Sequence, residues 1–235
     1  MSEFNAVLAA GCAGLGLKLQ PDALSSFEKY HLYLADKNAS LNLTAVTGER
    51  ESAERHFLDS LALLCFADLK YKKVIDVGTG NGFPGLPLKI AEPSIELTLL
   101  DSIGKKVDFL IELCSHLGIN AVCTQGRAEE LALLPPFREV YDICVSRALA
   151  RLNVLAELCL PLVKVGGLLL AMKARDCGDE LAEAQNSIAV LGGEVVNIHE
   201  YAVGSVTRSV IVIRKTGNTP SAYPRRFSKI QKQPL

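Results

Sequence analysis

The densest chemical information in this chain lies in Ile75-Asp76-Val77-Gly78-Thr79-Gly80-Asn81-Gly82-Phe83-Pro84-Gly85. A β-rich run precedes this segment and a helical pattern follows it, the setting in which a glycine loop holds a nucleotide-like ligand. A phosphate-cradling loop needs Gly-x-x-x-x-Gly-Lys-Ser/Thr. Gly80 and Gly85 have that spacing, but Leu86 and Pro87 stand in the Lys and Ser/Thr places, so nucleoside triphosphate hydrolysis is excluded. A dinucleotide loop needs Gly or Ala where Phe83 stands, and a ring there obstructs packing beside a pyrophosphate. What remains is Asp-x-Gly-x-Gly-x-Gly. Gly78 and Gly80 let the backbone approach a ligand, and amides near the following helix N-terminus suit a carboxylate. Asp101, 23 residues after Gly78, ends the next apolar run, where its carboxylate is placed to accept from both hydroxyls of a ribose.

The surrounding pattern supplies elements to position these groups. From Lys73 onward, β-rich runs (Val74–Val77, Leu97–Asp101, Ala121–Cys123, Tyr141–Val145, Leu168–Met172) alternate with helical segments near Leu86–Ile90, Lys105–Leu117, Asn153–Val163 and Glu180–Leu191. Continuously apolar strands between helices predict a parallel sheet covered on both faces. Glu194–Val203 and Ser205–Lys215 have little between them and predict an antiparallel pair at the sheet edge. Residues 1–68 read as helical. Pro21-Asp22 offers a start for a helix carrying Leu24, Phe27 and Leu34, a break is expected at Lys37–Ser40, and a second helix follows over Glu49–Ala67.

Composition narrows the function classes. Of 235 residues 49% are hydrophobic and 22% charged, an ordinary globular balance. The longest stretches free of Asp, Glu, Lys and Arg (Phe4–Leu17 and Leu113–Gly126) are 14 residues, short of the ~20 that span a bilayer as a helix. The seven cysteines are scattered without Cys-x-x-Cys, the pattern of reduced thiols in the cytoplasm. Leu8-Ala9-Ala10-Gly11-Cys12 faintly resembles a lipoprotein cleavage box, but Glu3 and the absence of Lys or Arg before it argue against a signal peptide. Glu28 and His31 form one Glu-x-x-His where a di-iron bundle needs two, so no metal site is expected. Residues 201–235 hold seven of the 25 Lys and Arg and none of the 26 Asp and Glu. That asymmetry marks either an anion-binding surface or a solvated tail.

The glycine loop resembles motif I of S-adenosylmethionine-dependent methyltransferases. Over nearly the whole chain, further segments resemble the RsmG (GidB) family of bacterial 16S rRNA methyltransferases. They include Asn42-Leu43-Thr44-Ala45, Arg55-His56-Phe57-Leu58-Asp59-Ser60, the Phe83-Pro84-Gly85 extension and Leu100-Asp101-Ser102 with Lys105-Lys106. Gly126-Arg127-Ala128-Glu129-Glu130, Ser146-Arg147-Ala148 and Tyr223-Pro224-Arg225 complete the match. One departure is Arg226-Phe227-Ser228, where the family often has Gly soon after Tyr-Pro-Arg.

The resemblance implies an α/β fold: a Rossmann-like class I S-adenosylmethionine-dependent methyltransferase sheet with an N-terminal helical extension. The expected division is an extension over residues 1–70, a methyltransferase domain over 71–216 and a basic tail over 217–235. It implies methylation of guanine N7 at position 527 of 16S rRNA, with S-adenosyl-L-homocysteine as product. Cofactor contacts are expected at Gly78, Gly80, Phe83, Asp101, Ala128, Glu129 and Arg147. Arg225 and Arg226, with Lys105-Lys106, are expected to meet RNA phosphates, which position without specifying sequence. Guanine N7 is nucleophilic as it stands, so no catalytic base is assigned. Val145-Ser146-Arg147-Ala148 lacks the Asp/Asn-Pro-Pro-aromatic pattern of exocyclic-amine enzymes, and Cys144, within an apolar strand, reads as core. His56 and Asp59, three apart, read either as RNA contacts or as a surface helix pair. The expected partner is 16S rRNA or the small ribosomal subunit, acted on by a monomer without metal or membrane. Methylation of another substrate and a non-catalytic assembly role stay open.

Overall fold

The computed structural model of the protein describes residues 1–20 and 22–235, without the side chains of Ser40 and Leu41. Pro21, read above as part of a helix start, lies outside the described residues. Helices α1 (Glu3–Gly14) and α2 (Ala23–Leu41) open the chain. The break expected at Lys37–Ser40 is not there. The helix runs on until Asn42, whose left-handed backbone (φ +49°) ends it, a conformation Asn tolerates better than most residues. The second expected helix is not uniform. It passes from α3 (Glu49–Ser52) through a π-helical stretch, Ala53–Leu58, into α4 (Asp59–Leu61) and a 3₁₀ turn, Ala62–Cys65. π-Helical turns are rare and concentrate at functional sites.

The sheet follows. Its strands are β1 (Lys73–Val77), β2 (Glu96–Asp101), β3 (Val122–Gln125), β4 (Tyr141–Arg147), β5 (Val163–Ala174), β6 (Gly193–Val203) and β7 (Val206–Lys215). The order across the sheet is β3-β2-β1-β4-β5-β7-β6. The first five are parallel, and β7 inserts antiparallel between β5 and β6. Helices α5 (Gly85–Ala91), α6 (Gly104–Leu117), α7 (Ala128–Leu131), α8 (Leu152–Cys159) and α9 (Gly178–Val190) connect the strands, and α10 (Phe227–Lys232) ends the chain.

Two apolar cores cover the two faces. One joins β1, β2 and β4 residues to Phe4, Phe27, Tyr30 and Phe57, so the N-terminal helices share a core with the sheet. The other packs Ile75, Cys144 and Ile211 against α8, α9 and Ile230 of α10. Cys144 is fully buried, as its apolar strand implied. No helix among the described residues is long and apolar enough to cross a membrane.

Sequence order around β1 decides where a ligand fits. The chain leaves β1 toward β2 and β3, then returns to the other side of β1 as β4. A crevice forms outside the carboxyl ends of strands where the order reverses in this way. The loops at residues 78–84, 102–103, 126–127 and 148–151 all open there.

Candidate functional site

The glycine loop is fastened from below and from the side. Asp76, fully buried, accepts through Oδ2 from Thr79 Oγ1 and the Gly85 amide, both at 2.7 Å, while Oδ1 has no partner. Burial pushes its carboxyl up to about 6. From the N-terminal helices, the Tyr30 hydroxyl donates to the Asn81 carbonyl, and Asn81 Nδ2 donates to Leu43 O at 2.6 Å. A side chain at Gly82 (φ +99°) would collide with the Tyr30 hydroxyl. The helical extension therefore sets the shape of the loop.

A cleft of about 260 Å³ opens beside this loop. Gly78, Asp101, Ala128 and Glu129 line it, with Lys106, Leu149 and Phe227. Gly78 stands at φ +71°. Gly80, expected as a cofactor contact, does not line the cleft; its amide donates to Asp101 Oδ2 at 3.0 Å. Asp101 Oδ1 accepts from the Ile103 amide at 2.9 Å, and Lys106 Nζ lies 3.9 Å from Oδ2. A carboxylate offers about four acceptor positions, so two hydrogen bonds leave Asp101 capacity for two vicinal hydroxyls. Burial raises the Glu129 carboxyl above its ordinary range. Apolar walls with acceptors at set points suit a nucleoside without phosphate.

Phe83 and Arg147, also expected here, stand elsewhere. The Phe83 ring is almost fully buried, stacked on Tyr30 (5.0 Å between centres) and on His56 (4.8 Å), with Phe57 edge-on at 5.2 Å. Only its backbone belongs to the loop, its amide donating to Thr79 O. The helical extension explains the placement, because it brings three other rings against this one. Arg147 lies across the Phe83 ring at 5.3 Å, with Nη1 donating to Asp59 Oδ2 at 3.0 Å and to Arg55 O at 2.9 Å. It opens onto a second cleft.

That second cleft, about 660 Å³, is lined by Arg55, His56, Asp59, Arg147, Arg151, Lys173, Tyr201 and Arg208, and by Glu180, which holds Lys173 at 2.7 Å. Residues 148–150 line both clefts and separate them. Ala148 holds φ +53°, and Leu149 leans on Gly78, where an added Cβ would meet its Cδ1 at 2.6 Å. Asp59, buried, is the hub of the second cleft. Besides Arg147 it accepts from the Tyr201 hydroxyl at 2.8 Å, and Arg208 Nε lies 4.0 Å away. Burial and this carboxylate push the Tyr201 hydroxyl far up. His56 Nε2 pairs with Thr44 Oγ1 at 3.0 Å, while its Nδ1 is buried without a partner. Burial, then Arg147, pushes its imidazole down to about 4. The surface-pair reading of His56 and Asp59 thus gives way: they bond to different elements along one cleft wall. Tyr201 carried no signal in the sequence, and Arg208 only its share in the basic balance of residues 201–235, since β6 and β7 read as ordinary edge strands.

The tail requires a correction. Arg225 does not project outward. Its Nε and Nη2 grip Glu157, which is fully buried, at 2.9 Å and 2.6 Å, and its amide donates to the same carboxylate. Arg138 binds the carbonyls of Thr219 and Tyr223 at 2.8 and 2.9 Å. The partner of Arg225 lies 68 residues away in sequence, so residue type alone suggested solvent. Arg226, Lys229 and Lys232 remain exposed, as does Lys105.

The sheet order and the glycine-loop cleft define the architecture of class I S-adenosylmethionine-dependent methyltransferases. An O-methyltransferase from Bacillus cereus in complex with SAH superposes with TM-score 0.57 at 14% identity, covering 80% of this chain and 91% of that one. TrmN from Thermus thermophilus gives 0.52 at 21%, covering 69% and 53%. A family model described as GidB, rRNA small subunit methyltransferase G, matches residues 23–211. Ribosomal RNA small subunit methyltransferase G of Alkaliphilus oremlandii is 44% identical over 99% of both chains, and that of Pelotomaculum thermopropionicum 44% over the whole of both. The chain belongs to the GidB family of rRNA small subunit methyltransferases.

Proposed function

We propose that this protein methylates N7 of guanine 527 in 16S rRNA, drawing on S-adenosyl-L-methionine and releasing S-adenosyl-L-homocysteine. The observation that carries the reading is the pairing of two clefts across one thin loop. One is lined for a nucleoside; the other holds five cations against two carboxylates, Asp59 and Glu180. When bound, the cofactor supplies a methyl group on a sulfonium, an electrophile that needs no metal. Gly78 would hold its methionyl part, Asp101 its ribose, and Ala128 with Glu129 its adenine.

Guanine N7 carries an in-plane lone pair, so no proton leaves before attack and no side chain serves as base. The work of the protein is alignment. Asp59 and Tyr201 fix Arg147 on the wall of the second cleft, where a guanidinium is suited to the guanine O6 or a flanking phosphate. Arg208, and Arg151 from its pair with exposed Glu183, supply positive potential for the RNA backbone, while Lys173 is held by Glu180 and the Ala150 carbonyl. His56 stays neutral beside them and adds no charge.

The test is methyl transfer from labelled cofactor to 16S rRNA and to small subunits, with the modified base mapped by cleavage at N7-methylguanine. Label at guanine 527 is the expected result. Label on another base, or cofactor binding without transfer to either substrate, overturns the reading.

A further inference from the structure

The C-terminal tail reaches the cleft beside the glycine loop. Phe227 lines that cleft together with Arg127, Ala128 and Leu158. Its ring is half-buried, whereas Ile230, one turn on in the same short helix, is fully buried in the core. The Arg127 guanidinium lies 5.2 Å from the centre of the Phe227 ring. The segment leading to this ring is tightly held. Arg225 is clamped to buried Glu157, and Arg138 ties down the carbonyls of Thr219, Pro220 and Tyr223. A ring kept partly open, between a buried ion pair before it and a buried isoleucine after it, is a fixed wall of the cleft. Flat, apolar and in the same cleft as Ala128 and Glu129, that wall suits a purine base whose edge donates hydrogen bonds.

Resting on the S-adenosylmethionine reading above, we infer that Phe227 is a cofactor-binding residue that packs against the adenine ring, so that the C-terminal tail completes the cofactor cleft. The tail is then part of the methyl-donor site, and the exposed cations Arg226 and Lys229 flank a ligand-bearing ring.

The test uses the full-length protein, with S-adenosyl-L-methionine and S-adenosyl-L-homocysteine titrated calorimetrically into wild type, Phe227→Ala, Phe227→Leu and Phe227→Tyr. Loss of base–aromatic stacking predicts Kd raised roughly 5- to 100-fold in the Ala variant. The Leu variant, which keeps apolar packing in the tail, should lose most of the same affinity, and the Tyr variant should recover it. Melting without ligand is recorded for each, and the Leu variant carries the test if the Ala variant does not fold. Wild-type affinity in the Leu variant overturns the inference and leaves Phe227 as a brace for the tail. A wild-type protein that binds neither ligand overturns the cofactor reading itself, and this inference with it.

Discussion

Positive charge gathers in two places, the last 35 residues and the cleft beside Arg147, and the two regions use it differently. In the first, Arg225 binds buried Glu157, and Lys215, fully buried, binds Glu139 at 2.9 Å, Thr219 Oγ1 and Leu160 O. These cations hold the tail against the sheet. In the second, Arg55, Arg147, Arg151, Lys173 and Arg208 come from four separate elements and one loop to line a single hollow, where Asp59 and Glu180 pair with Arg147 and Lys173. Charge density along a sequence therefore did not predict charge density in space. The seven cations of the last 35 residues suggested an anion site there, yet the concave cationic surface takes only Arg208 from them and its other four cations from elsewhere in the chain.

The largest effect separating the regions should come from Arg225→Ala. Removing one partner of a buried ion pair leaves the Glu157 carboxylate unpaired in the core and costs about 3–5 kcal/mol. Chemical denaturation should show that loss, with the salt dependence of RNA binding unchanged in protein that remains folded. Wild-type stability with weakened RNA binding would reverse the contrast drawn here.

Next in size is the double variant Arg151→Ala/Arg208→Ala in the cleft. If both side chains meet phosphates of unpaired RNA, the slope of log K against log salt should fall by about 1.4, at ~0.7 per contact on single strands. Cofactor affinity should hold. An unchanged slope in titrations with a 16S rRNA hairpin would remove the cleft from the RNA path.

Acid stability probes the wall of the second cleft. His56 titrates near 4 in the folded protein against an ordinary 6.5, so the folded state disfavours its proton. Its contribution is fully present above pH 6.5 and is lost as pH falls toward 4. Asp76 works in the opposite sense. Its folded value of about 6 exceeds the ordinary 3.8, so its burial penalty is relieved as pH falls through that window. His56→Gln should therefore lose less stability than wild type between pH 6.5 and 4, measured by thermal melts at fixed ionic strength. Parallel pH curves for the two proteins would show that His56 does not titrate in this way.

The smallest effect is expected for Arg226→Ala. Arg226 is exposed and has no place in the clamp around Glu157, so its loss removes at most one phosphate contact, ~0.7 of slope, and leaves the melting temperature in place. A large fall in melting temperature would give Arg226 the bracing role assigned here to Arg225.

By itself the sequence determined the parts whose chemistry is local. Alternation of apolar strands with helices announced the parallel sheet. The Asp76–Gly85 run, with Asp101 one strand on, marked the loop and carboxylate that the structure brings together by the Gly80 amide. These signals survive in one dimension because a glycine turn, a strand end and a helix start depend on neighbours within a few residues. Tertiary structure decided the rest. Phe83 went into an aromatic stack because α2 and the π-helical turn bring Tyr30, Phe57 and His56 onto it. Asp59 became a hub because Arg147 and Tyr201 lie 88 and 142 residues further along the chain. Arg225 turned inward because Glu157, already buried on α8, needed a cation. A buried charge must find its counterpart wherever the fold supplies one, and nothing in the order of residues states how far away that will be.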